Sequence, residues 1–129
     1  FHPDGHVTAA QAAKMLLVTL GYSTDYEGFT GAAWSTNVTI VATQAKLFDG
    51  LNLSPTQVLT RDEAAQMIWN ALNAYEVTYT TQTVTDANGQ ESIKVVREEK
   101  VIAGTTDKLT LIKDKYGIDT PPTEKKTQP

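Results

Sequence analysis

The sequence predicts an α+β fold: helices up to about residue 74, then a two-stranded β-hairpin and a short C-terminal helix. Three observations carry this. A stretch of 18 residues from Pro3 to Leu20 recurs 52 positions later, from Pro55 to Leu72. After Tyr75 the composition shifts to Thr, Val and Tyr, residues that suit a pleated, half-buried strand. Between two such runs stands Asn88-Gly89, the pair favoured in a type I′ hairpin turn because both residues tolerate positive φ.

Six of the 18 paired positions are identical: Pro3/Pro55, Thr8/Thr60, Ala12/Ala64, Ala13/Ala65, Met15/Met67 and Leu20/Leu72. Val7/Leu59, Leu16/Ile68 and Leu17/Trp69 exchange one apolar residue for another. Such a repeat marks a supersecondary unit that stacks on its own copy, because one copy alone cannot bury its apolar face. It points toward a modular binding or assembly protein and away from a solitary catalytic centre.

The first helix is expected to start at Thr8. Thr8 and Gln11 have capping-box spacing, in which the hydroxyl accepts from the backbone three residues on and the amide reaches back. Ala12, Met15, Leu16, Thr19 and Leu20 then fall at helical spacing as the core face, and Gly21 is the stop. Residues 22–33 read as a loop broken by Gly28 and Gly31. A second helix is expected over 32–47, where Trp34, Val38, Val41, Ala42 and Ala45 form a stripe. The β-branched run Val38-Thr39-Ile40-Val41 is also compatible with a strand.

The third helix should run from Thr60 to about Ala74. Thr60 and Glu63 make a second capping box, and Asp62 adds another acid facing the helix dipole. Its expected core face is Ala64, Met67, Ile68, Ala71 and Leu72. The hairpin occupies residues 76–85 and 91–102 and must pack on the helices or on another chain, since an isolated hairpin is marginal in water. A last helix is expected over 107–116, with Leu109, Ile112 and Tyr116 on one face and Gly117 as its end. Residues 118–129 hold three prolines and no aromatic side chain, and read as a linker or disordered tail.

Bulk properties narrow the function classes. The formal charge of −4 argues against a broad basic face for nucleic acid. No apolar run approaches the roughly 20 residues a bilayer requires, so no membrane span is expected. The absence of cysteine removes disulfides, zinc–thiolate sites and thiol nucleophiles together. The chain starts at Phe1 without a signal-peptide pattern and is expected to be a mature or excised piece of a longer protein.

Two stretches carry a resemblance. Phe1-His2-Pro3-Asp4-Gly5-His6-Val7-Thr8 is similar to the F-x-P-D-G-x-[IV]-T opening of surface-layer homology (SLH) modules, and Leu59-Thr60-Arg61-Asp62-Glu63-Ala64-Ala65 resembles their [IL]-T-R-x-E-A-A signature. Gly28 to Trp34, followed by Ala45 to Gly50, resembles the first half of such a module. The resemblance covers residues 1–74: 1–22 as the second half of one module and 23–74 as a complete one, with 75–129 outside it. It implies modules packed around a pseudo-threefold axis, with grooves that hold anionic secondary cell-wall polysaccharide at a bacterial cell surface. The family's signature arginine maps onto Arg61 and its tryptophan onto Trp34. The first copy departs from the pattern, with Ala9 in place of the arginine and Gln11 in place of the glutamate.

Each candidate residue has a plainer reading beside this one. Arg61 is either a fork for sugar carboxylates or a solvated first-turn arginine paired with Asp62 or Glu63. Trp34 is either a sugar-stacking platform or a core aromatic, and the sequence leaves Trp69 open between core and surface. Thr8, Gln11, Thr60 and Glu63 are structural caps. His2 and His6 have i, i+4 spacing, but Pro3 and Gly5 oppose the helix a metal pair would need, so no metal or cofactor is expected. No Gly-x-Ser-x-Gly elbow, His-Glu-x-x-His, P-loop or dinucleotide fingerprint is present, and no enzymatic activity is expected. The expected function is a non-catalytic surface module that binds wall polymer. The alternatives are a self-assembling subunit that associates through the unpaired repeat face or the hairpin edges, and a scaffold on a secreted hydrolase.

Overall fold

The computed structural model describes residues 7–117. In chain order they form α1 (Ala9–Thr19), α2 (Thr24–Glu27), α3 (Trp34–Gln44), α4 (Arg61–Leu72), β1 (Val77–Thr85), β2 (Glu91–Glu99) and α5 (Leu111–Tyr116). The fold class is α+β, with one antiparallel two-stranded sheet among the described residues. The first six residues, including His2 and His6, and the tail from residue 118 lie outside the described residues.

Both repeat helices open on capping boxes. Thr8 Oγ1 accepts from the Gln11 N–H at 3.2 Å, and the Thr8 N–H donates to Gln11 Oε1 at 3.0 Å. Thr60 and Glu63 repeat the arrangement at 3.2 and 2.9 Å. The segments that lead into α1 and α4 meet as a short antiparallel bridge, Thr8 opposite Val58. The Leu59 N–H donates to Val7 O and the Ala9 N–H to Gln57 O, both at 2.9 Å, while the Ala10 N–H donates to Pro55 O at 3.0 Å. The other repeat thus supplies acceptors for the first two amides of α1, which have no partner within their own helix.

α1 packs against both α3 and α4. Phe29, Leu17, Leu20, Leu47, Met67 and Val38 are the largest fully buried side chains. Val77 at the foot of β1 and Leu111 of α5 join the same cluster, so hairpin base and repeat helices share one core.

The buried faces differ from the expected ones. α1 buries Ala9, Ala10, Ala12, Ala13 and Leu17, with Leu20 just beyond its end, while Met15 is 60% exposed. α4 buries Met67 and Ala71, but Ile68 is 51% exposed. The two copies turn different faces to the core because their neighbours differ: α1 packs on α3 and α4, and α4 on α1 and α5. The alanines of α1 allow close approach, and equivalent methionines end in opposite environments.

Four local features also differ. Residues 24–27, expected as loop, form α2: Ser23 caps it by accepting from the Tyr26 N–H at 3.2 Å, and Gly28 ends it at φ +73°. The 38–41 run is helical, and α3 ends at Gln44, after which Lys46 takes φ +66° and the Leu47 N–H returns to Ala42 O at 2.9 Å. That turn folds Leu47 into the core. At the hairpin tip only Gly89 has positive φ, so the turn is not type I′. Asp86 Oδ1 accepts from the Asn88 and Gln90 N–H groups at 2.8 and 2.9 Å and holds a longer loop. Finally, α5 begins at Leu111 behind the Thr110 cap, because the preceding residues bond back to the hairpin base: Ile102 N–H to Asp107 O at 2.8 Å and Leu109 N–H to Lys100 O at 2.9 Å. Tyr116 is 66% exposed and does not share the buried face of Leu111 and Ile112.

Candidate functional site

An open groove of about 550 Å³ runs along α1 and the start of α3, lined by Gln11, Lys14, Met15, Val18 and Trp34. Its residues recur at three- and four-residue steps along one side of α1, the side turned away from the core. Trp34 enters at the first position of α3, where its N–H meets Gly31 O at 3.3 Å, and its half-buried ring forms the far wall. Lys14 Nζ lies 5.4 Å from the centre of that ring, a cation–π distance. Gln11 is fixed by its capping bond to Thr8. The groove therefore joins an aromatic face, an ammonium and a carboxamide to two apolar side chains, Met15 and Val18.

Of the two residues the sequence assigned to a binding site, the structure places only Trp34 in this groove. Arg61 is exposed at the first position of α4, outside the lining, and among the described residues no carboxylate forms an ion pair with it. Trp69 is 47% exposed on α4. Lys14 was not singled out in the sequence. It stands opposite Gln66 in the second copy, so the repeat offers no signal for it, and only its position over Trp34 gives it meaning.

No family model matches this chain. No curated protein and no solved structure matches it either.

Two polar clusters elsewhere were not legible in the sequence. At the foot of the hairpin the Tyr79 hydroxyl donates to Glu27 Oε2 at 2.7 Å and accepts from the Ser23 N–H at 2.9 Å. Arg97 Nη1 pairs with Glu27 Oε1 at 2.9 Å and its guanidinium lies 5.0 Å over the Tyr22 ring. Tyr26 stacks on Tyr79 at 5.6 Å. Burial pushes the Tyr79 phenol up to about 12; the Ser23 N–H and Arg97 oppose the rise and Glu27 adds to it.

The second cluster surrounds Glu76, which is buried at 4% exposure just before β1. Burial holds its carboxyl above the usual carboxylate range, and a hydrogen bond shared with the Asp114 carboxyl adds to this. Lys100 Nζ, 3.5 Å from Glu76 Oε1, opposes the shift. This carboxyl joins hairpin and α5 and does not line the groove. No group of three or more His, Asp or Glu side chains among the described residues is arranged to hold a metal ion, and no described helix is long and apolar enough to cross a membrane.

Proposed function

We propose that this chain is a non-catalytic bacterial cell-surface module of the SLH type that binds an anionic cell-wall polysaccharide in the Trp34 groove. The observation that carries the reading is the ammonium of Lys14 beside the Trp34 ring in an open groove. A sugar ring offers C–H groups that pack on an aromatic face, and an acidic substituent calls for a cation at its edge. Gln11 adds a polar group that suits hydroxyls. The chain carries a net charge of −4, so the attraction for an anionic polymer is local to this pocket. Arg61 is a second contact only if the polymer extends as far as α4.

Co-sedimentation with purified wall sacculi tests the reading, with sacculi stripped of their secondary polymer as the control. Lys14→Ala should weaken recovery about tenfold, the equivalent of ~1.4 kcal/mol, and flatten its dependence on salt. Trp34→Ala should weaken it at least as much, with circular dichroism checking that α3 persists. Parent-like recovery of a folded Lys14→Ala variant would remove the groove from the site. Arg61→Ala decides separately whether α4 takes part.

A further inference from the structure

The two repeat helices use the same positions in opposite ways. Gln11, Lys14 and Val18 of α1 correspond to Glu63, Gln66 and Asn70 of α4. In α4 these side chains are engaged within the fold. Glu63 Oε1 accepts from the Thr60 N–H at 2.9 Å, and its Oε2 accepts from Gln57 Nε2 at 3.3 Å. Gln66 Nε2 donates to Asn70 Oδ1 at 2.9 Å. Asn70 Nδ2 in turn donates to the carbonyls of Leu47 and Asp49, both at 2.9 Å.

In α1 the cap is kept, but the onward bonds are absent among the described residues. Gln11 Oε1 accepts from the Thr8 N–H at 3.0 Å, as Glu63 does for Thr60. Of the two ends of a carboxamide, only the oxygen can meet a backbone N–H. The cap therefore fixes the orientation of the amide and leaves Nε2 as its open end. Lys14, next to Gln11 on the same helix face, forms no ion pair among the described residues. Neither a carboxylate nor a hydroxyl is found among the side chains that line the groove. Its strong polar groups are thus N–H donors, apart from one amide oxygen already engaged in the cap.

We infer that Gln11 Nε2 and Lys14 Nζ form a two-donor seat for one carboxylate carried on a sugar ring, and that Gln11 sets the polarity of this seat. An ionised carboxylate accepts and cannot donate, so each of its oxygens can take one of the neighbouring donors. An amino sugar would bring an ammonium against Lys14 and find no carboxylate to meet it. The sugar ring supplies a C–H face for Trp34, Met15 and Val18, which a phosphodiester chain lacks. The inference deepens the polymer reading and rests on it for the sugar, while the polarity of the seat is measured with soluble probes.

Titration of the full chain with oligogalacturonate from ~10 µM to ~10 mM, followed by the amide NMR shifts of α1, tests the seat. Glucosamine oligomers, a neutral maltodextrin and a glycerol-phosphate polymer are the comparison probes. The uronate should bind at least about tenfold more tightly than any of them. Gln11→Glu retains a capping carboxyl of the kind Glu63 provides and turns the open donor into an acceptor, so it should weaken uronate binding about tenfold or more. Gln11→Met removes the donor without changing the charge. It should weaken binding about threefold or more and leave the salt dependence as in the parent, whereas Lys14→Ala flattens it. Circular dichroism checks that each variant keeps its helices. Parent-like uronate binding by both folded Gln11 variants would overturn the seat, and so would equal or tighter binding of any comparison probe. If Lys14→Ala still lost recovery on sacculi in that case, the polymer reading would stand without the seat. A parent chain that bound neither uronate nor sacculi would remove both.

Discussion

Gly21 shows how much one residue decides. It ends α1 at φ +105°, and a Cβ there would lie 2.4 Å from Val77 O, beside the bond from the Val77 N–H to Leu20 O. Only a glycine lets the hairpin foot approach the end of α1 this closely. Gly31 also has positive φ, +83°, but nothing lies within 4 Å of its would-be Cβ. Gly31→Ala should therefore cost only the backbone penalty, about 1–2 kcal/mol. Gly21→Ala adds a clash with backbone and should cost about 3 kcal/mol or more. Urea denaturation of the two variants measures the difference, and equal losses would mean that Val77 moves aside freely. The sequence identifies Gly21 as a helix stop, but no local signal ties it to a residue 56 positions away. The same holds for Met15 and Met67, identical in the repeat, one exposed and the other buried.

Elements with strong local signals were legible in the sequence. Both capping boxes stand where Thr-x-x-Gln and Thr-x-x-Glu spacing puts them, because the cap is satisfied within four residues of chain. Thr60→Ala removes the acceptor for the Glu63 N–H and should cost about 1 kcal/mol in chemical denaturation. A loss near zero would mean that water replaces the hydroxyl at this exposed end. α2 was missed although Ser23, Asp25, Glu27 and Gly28 are start and stop signals, because four residues are too few to show a helical period. The hairpin was legible, but its turn was not. Asp86 captures two amides with one carboxylate oxygen, and this side-chain bond overrides the type I′ preference of Asn-Gly. Likewise Trp34 stood out as an aromatic at a helix start, whereas Lys14 acquires a role only from the packing of α1 on α3.

At the scale of the whole molecule, the repeat predicts that two helices meet but not which faces they bury, because the neighbours differ: α1 packs on α3 and α4, whereas α4 packs on α1 and α5. The hairpin is joined to this body by Val77 in the core and by the Tyr79–Glu27–Arg97 cluster on α2. That cluster sets how the exposed arm is held, and its response to pH has a definite sign. The Tyr79 phenol is raised from 10.0 to about 12, so the folded chain holds this proton more tightly than the unfolded one. Its contribution is fully present below pH 10 and is lost as pH rises toward 12. Tyr79→Phe removes the bonds to Glu27 and Ser23 and should lower stability at pH 8 by about 2 kcal/mol, since one partner is a carboxylate. The gap in Tm between parent and Tyr79→Phe should then narrow from pH 10 to pH 12, because only the parent has this proton to lose. The comparison subtracts the other tyrosines, including Tyr22, which burial also raises. A gap that stays constant over that range would mean that Tyr79 holds the arm through ring packing on Tyr26 and not through its hydroxyl.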